Sequence, residues 1–127
     1  MLEQDYIMRM IHEMIRAILK ILFNIDSCSQ TEEVLESAAQ REKLETLKDM
    51  VDAGRIDEAE NELYNIMEEA GKNDYKIALL FYAYLNEQTD EFLESNNFSR
   101  DEVKMGVKDV AECLGVGSMA KMLLDEK

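Results

Sequence analysis

Residues 5–23, DYIMRMIHEMIRAILKILF, constrain the fold more than any other stretch of the chain. At about 100° per residue, Arg9, His12, Glu13, Arg16 and Lys20 gather into one polar stripe, and nearly all the remaining circumference is Ile, Leu, Met, Ala or Phe. A surface helix needs an apolar arc of little more than ~100°, and this one has roughly twice that. Two heptad seams lie side by side on it. Ile7, Met10, Met14, Ala17 and Ile21 form one, and Met8, Ile11, Ile15, Ile18 and Leu22 form the other. Either seam alone suits one partner helix. Two adjacent seams call for more than one neighbour. One seam is therefore expected to face the fold, and Ile7, Met10, Met14, Ala17 and Ile21 are the candidate interaction seam left for a partner.

The rest of the chain also reads as helix. It has no proline and five glycines, and it is rich in Glu, Lys, Leu, Met and Ala, the good helix formers. No stretch alternates apolar and polar residues with β-branched enrichment, so no sheet is expected. A length of 127 residues fits one helical domain with a modest core. The expected fold is all-α, with five or six helices arranged as a tetratricopeptide-like helical hairpin or an irregular bundle. Helix 1, at about residues 5–23, is its packing and oligomerisation helix.

Local signals divide the remainder. Ser29 and Glu32 have the spacing of a capping box opening a helical region that runs to Ala53. Its apolar phase shifts between Val34/Ala38 and Leu44/Leu47/Val51, so the helix breaks near Ala39 to Glu42 or changes neighbours there. Gly54 stands where a C-terminal cap glycine belongs. A helix from Ile56 or Asp57 buries Ala59, Leu63, Ile66, Met67 and Ala70, and Gly71 ends it. Asn73 or Asp74 caps a helix that is apolar all round from Tyr75 to Leu85, the mark of a central element. A short turn spans Thr89 to Leu93. Ser99 and Glu102 then form a second capping box, with Phe98 placed to staple onto Val103. Val103, Gly106, Val107, Val110, Ala111 and Leu114 are its buried face, Gly115 closes it, and Ser118 starts a last short helix.

Two resemblances follow from these residues. The stretch LKDMVDAGRIDEAENELYNIM resembles one helical hairpin of a tetratricopeptide-like repeat, with glycine at the turn and Ala59 allowing close approach. It covers about 20 residues, and no second copy accompanies it, although stacked repeats need about three. At the larger scale, QDYIMRMIHEMIRAILKILF and NNFSRDEVKMGVKDVAECLGV resemble a group of small, uncharacterised all-helical proteins of Gram-positive anaerobic bacteria, a domain of unknown function. That resemblance implies a helical, cytoplasmic protein and supplies no site residues.

Recognisable chemistry is scarce. His12 is the single histidine, with Met8 and Arg16 one turn away, so no helical metal pair forms. A di-iron bundle would need two Glu-x-x-His motifs. Cys28 and Cys113 are far apart and read as free thiols of a reducing compartment, Cys113 packed beside Leu114. No Walker loop, zinc-protease motif, nucleophile elbow or calcium loop occurs. Tyr75, Phe81, Tyr82 and Tyr84 line either a pocket or, more simply, the core. The methionines of helix 1 are equally open to ordinary core packing and to an adaptable contact surface.

Charge narrows the partners. The chain carries a net −14, yet its first 23 residues hold three acids and three bases, leaving 25 acids against 11 bases in the rest. Such a body repels phosphate backbones, so nucleic acid is not an expected partner, and solubility alone accounts for much of the excess. Helix 1 is too charged to span a membrane and lacks the form of a signal peptide. The expected function is a non-enzymatic protein–protein interaction or self-association module. It is an acidic, cytoplasmic scaffold without cofactor or metal, with a homodimer as the commonest solution. Peripheral membrane binding through the cationic Arg9, Arg16 and Lys20 is the alternative, and an enzyme with an unrecognised site a second one.

Overall fold

The structure, a computed structural model, describes residues 2–25, 35, 37–69 and 74–118. Within them the chain forms α1 (Leu2–Phe23), α2 (Ala38–Asp52), α3 (Ile56–Glu69), α4 (Tyr75–Asn86), α5 (Asp90–Ser95) and α6 (Arg100–Cys113). The protein is all-α: six helices pack into a bundle, with no strand among the described residues. None of these helices is long and apolar enough to cross a membrane.

The helix ends show how the sequence sets the boundaries. Four helices stop at a residue in the left-handed region: Asn24 (φ 57°), Gly54 (φ 84°), Asn97 (φ 60°) and Gly115 (φ 85°). Glycine and asparagine adopt that conformation at least cost. After α2, Arg55 N–H donates to Met50 O and Gly54 N–H to Val51 O; after α6, Val116 N–H donates to Ala111 O and Gly115 N–H to Glu112 O. Both are Schellman closures that satisfy the last carbonyls of the helix. Val116 packs against the core as that motif requires. At the other end of α6, Ser99 Oγ accepts from Glu102 N–H at 3.2 Å, and Phe98 and Val103 are both buried.

One boundary and one capping role differ from the sequence reading. α2 passes through Ala39 to Glu42 without a break and begins at Ala38, because Ser37 caps it, its Oγ accepting from Ala39 and Gln40 N–H. Asp74 does hold the capping position of α4, but its side chain makes no cap. Its carboxylate accepts instead from Gln40 Nε2 at 2.6 Å, tying α4 to the start of α2. The Ser29–Glu32 box, Val34, Ala70, Gly71 and the chain beyond Ser118 lie outside the described residues.

The core is built around α4. Ile77, Ala78, Leu79, Leu80, Phe81, Tyr82 and Leu85 are buried, and so are Lys76 and Asn86. The helix packs on α1, α2 and α6, and more lightly on α3, which leans chiefly on α2. The Lys76 ammonium lies 5.3 Å from the centre of the Phe23 ring, a cation–π contact that offsets part of its burial. Gly106 brings α6 close: a Cβ there would stand 2.3 Å from two carbons of the Tyr82 ring. Leu44, Leu47 and Val51 of α2, Ala59, Leu63 and Ile66 of α3, and Val103, Val107, Val110 and Ala111 of α6 complete the core.

Candidate functional site

The structure divides the circumference of α1 into three sectors. Ile11, Met14, Ile15, Ile18 and Leu19 are fully buried against α4 and α6. Burying five such side chains contributes roughly 10 kcal/mol before chain entropy is counted, so this face belongs to the fold. Asn86 Nδ2 donates to Met8 O at 2.9 Å and fixes how α1 sits on α4. The second sector is polar, with Arg9, His12, Glu13, Arg16 and Lys20 all exposed. Arg16 and Glu13 pair at 3.4 Å in the open, where an ion pair contributes at most about 1 kcal/mol.

The third sector is apolar and faces outward. Ile21 is 60% exposed and Tyr6 53%, while Met10 and Ala17 are half-buried. At 100° per residue these four fall within about 60° of one another. Tyr6, Met10 and Met14, with Arg9 and Glu13 on the rim, line a groove of about 380 Å³. The five seam residues are thus shared between sectors. Met14 is fully buried, Ile7 and Met10 pack half-buried against the core, Ala17 is half-buried, and Ile21 stands in solvent. The neighbouring seam points inward, with Ile11, Ile15 and Ile18 buried and Met8 and Leu22 half-buried. Tyr6 joins the site although the heptad reading passed over it. Its place one turn before Met10 was the available signal.

Elsewhere, polar groups serve the fold. Tyr82 donates to Glu60 Oε2 at 2.6 Å, and the phenol of Tyr64 adjoins that of Tyr82. Burial, followed by the charge of Glu60, pushes the Tyr82 phenol far above its ordinary pKa. Burial also raises Glu60, against the opposing hydrogen bond from Tyr82 and with help from Asp57, Glu102 and Asp109. Tyr84 donates to Asp52 Oδ1 at 2.5 Å. That bond, ahead of burial, pushes its pKa up to about 12. Arg100 is buried and donates to Asn86 O at 2.6 Å, Gln88 O at 3.0 Å and Asp90 Oδ1 at 2.5 Å. It joins the end of α4 to the starts of α5 and α6.

The aromatic group divides accordingly. Phe81 and Tyr82 are core residues in edge-to-face contact, and Tyr75 and Tyr84 are half-buried. Cys113 is exposed, not packed beside Leu114, because it lies on the solvent side of the last turn of α6. Cys28 lies outside the described residues. Among those residues no group of three His, Cys, Asp or Glu side chains could hold a metal ion.

The family model that matches this chain spans residues 1–115, from α1 through the closure of α6. The chain belongs to DUF6483, a family of unknown function. Comparison with curated proteins gives no match, and comparison with solved structures gives none. Since the DUF6483 match takes in the whole of α1, the outward sector lies within the region that defines the family.

Proposed function

We propose that this DUF6483 chain is a non-enzymatic protein-contact module that self-associates through the outer face of α1. The observation that carries the reading is the pair of exposed large side chains, Tyr6 and Ile21, on a helix whose inner face already holds it to the fold. A single stray apolar side chain needs no explanation, but an aligned set beside a groove marks a contact site. The site also lies in a stretch, residues 1–23, whose acids and bases balance, in a chain with net charge −14. In this reading the acidic remainder is a cytoplasmic scaffold that keeps nucleic acid away. Its α2–α3 hairpin, turned at Gly54 with Ala59 buried, is a tetratricopeptide-like unit. Its relatives are expected among Gram-positive anaerobic bacteria.

Sedimentation velocity from low to high micromolar concentration tests the proposal. A dimer is expected, and Tyr6→Lys with Ile21→Lys should return it to monomer with helix content unchanged. A wild-type monomer throughout overturns the reading. The exposed cations Arg9, Arg16 and Lys20 beside this face favour one competitor, a membrane surface. Co-sedimentation with phosphatidylglycerol vesicles by a chain that stays monomeric would decide for that alternative.

A further inference from the structure

The spacing of the outward strip specifies its occupant. Tyr6, Met10, Ala17 and Ile21 follow one another at intervals of 4, 7 and 4 residues. The strip is therefore symmetric about its own midpoint, between Glu13 and Met14. A two-fold axis through that point, perpendicular to α1, lays Tyr6 of one copy over Ile21 of the second and Met10 over Ala17, each pairing occurring twice. Large side chains then meet small ones at the inner positions, as close packing of two helices requires. A parallel arrangement would set Met10 on Met10 and Ala17 on Ala17, crowding one level and leaving a gap at the other.

Charge selects the same face. Two copies carrying −14 each repel through their acidic surfaces, whereas residues 1–23 are neutral. Glu13 borders the strip and Arg16 lies farther round on the same side; both are exposed, and they fall on opposite sides of the midpoint along the axis. The two-fold brings Glu13 of each copy beside Arg16 of the other, offset by about 3 Å along the axis at 1.5 Å per residue. Arg9 and Lys20 meet farther out, where their long stems turn the charges into solvent.

We infer that the occupant of this face is a second copy of the same chain, docked antiparallel with α1 on α1 about a two-fold axis between Glu13 and Met14. The inference rests on the reading of α1 as the self-association face and specifies its geometry. It matches the general habit of isologous dimers, in which one patch serves both partners.

A size swap tests it. Met10→Ala should leave a gap opposite Ala17, and Ala17→Met should crowd Met10; each is expected to weaken dimerisation by about tenfold, equivalent to ~1.4 kcal/mol. The chain carrying both changes restores large against small at both levels and should recover to within about threefold of wild type. Circular dichroism melts verify that each variant folds. Should a core-side effect of Met10→Ala unfold the chain, a spin label at exposed Asp5, with Cys28 and Cys113 replaced by serine, reads the geometry directly. The antiparallel pair separates the two labels by about 25 Å along the axis, and a parallel pair leaves them near 10 Å, the spacing of two packed helices. A wild-type dimer in which the double variant is as weak as the sum of the single ones, or in which the labels lie near 10 Å, overturns the register while leaving self-association standing. A wild-type monomer overturns both.

Discussion

α4 is apolar nearly all the way round and α1 on all but its polar stripe, yet only α4 is enclosed. α4 meets α1, α2, α3 and α6, so every apolar face finds cover and even Lys76 and Asn86 are buried. Among the described helices α1 packs chiefly on α4 and α6, which cover its inner sector, while Tyr6 and Ile21 stand largely in solvent. Apolar circumference therefore states how many neighbours a helix requires, while the topology of the chain states how many it receives. Where the two numbers agree, as at α4, the helix is the centre of the core. Where the requirement exceeds the supply, as at α1, the surplus becomes a candidate contact surface.

The difference can be broken residue by residue. Ile18→Ala on the inner face of α1 and Leu79→Ala in α4 should each cost about 4 kcal/mol, the cost of a buried branched side chain plus its cavity. Ile21→Ala, on the outer face of the same helix, should cost no more than about 0.5 kcal/mol in the monomer. Urea unfolding midpoints below the association range give all three values. Equal losses at Ile18 and Ile21 would mean that α1 is enclosed as α4 is. Gly106→Ala comes next, at about 3 kcal/mol, because a Cβ there cannot coexist with the Tyr82 ring at the α4–α6 contact. Gly115→Ala is its control: nothing lies within 4 Å, and only the left-handed backbone is penalised, by about 1 kcal/mol.

Arg100→Met follows, at about 2 kcal/mol. The cation stands at the start of α6, where the helix dipole disfavours it, and at the end of α4, where carbonyls and dipole favour it. Methionine keeps the apolar stem and removes the hydrogen bonds, so the loss isolates the charge-assisted bonds to Asn86, Gln88 and Asp90. Hydrogen exchange should show the loss at the end of α4 and in α5 more than in α1.

Much of this architecture was legible because its causes are local. Gly54, Gly115 and Ser99 act within their own turns, and the inward stripes of α2, α3 and α6 follow helical periodicity. The start of α2 and the role of Asp74 were missed because a local spacing rule does not settle either. Ser37 and Gln40 have capping-box spacing, but such spacing recurs by chance, and the use of Ser37 as a cap shows only in its hydrogen bonds to Ala39 and Gln40 N–H. Asp74 gives its carboxylate to a glutamine 34 residues earlier, which no local rule anticipates. The division of α1 is the most instructive case. Its two seams were evident, but which one faces inward depends on the rotation of α1 about its axis. That rotation is set by contacts such as Asn86 to Met8, 78 residues apart. The core side was therefore beyond sequence reasoning, whereas Tyr6, one turn before Met10, could have been added to the strip from its spacing alone.

The smallest expected effect concerns α3, which touches α4 lightly and is joined to it by the Tyr82–Glu60 hydrogen bond. Burial and the carboxylates of Asp57, Glu102 and Asp109 raise the pKa of Glu60 above its ordinary value. Between the ordinary and the raised value the folded chain binds more protons than the unfolded one, so this group's contribution to stability declines as pH rises through that window. The ionised form of Glu60 is a net cost, partly offset by the bond from Tyr82. Glu60→Gln keeps an acceptor for that bond and removes the charge. The variant should be slightly more stable than wild type at pH 7.5, and the difference should be smaller at pH 4, below the ordinary carboxylate value, because wild-type Glu60 takes up its proton as pH falls through the window. Urea midpoints at the two pH values measure it. A variant less stable at pH 7.5 would show that the charge on Glu60 strengthens the Tyr82 bond by more than its burial costs.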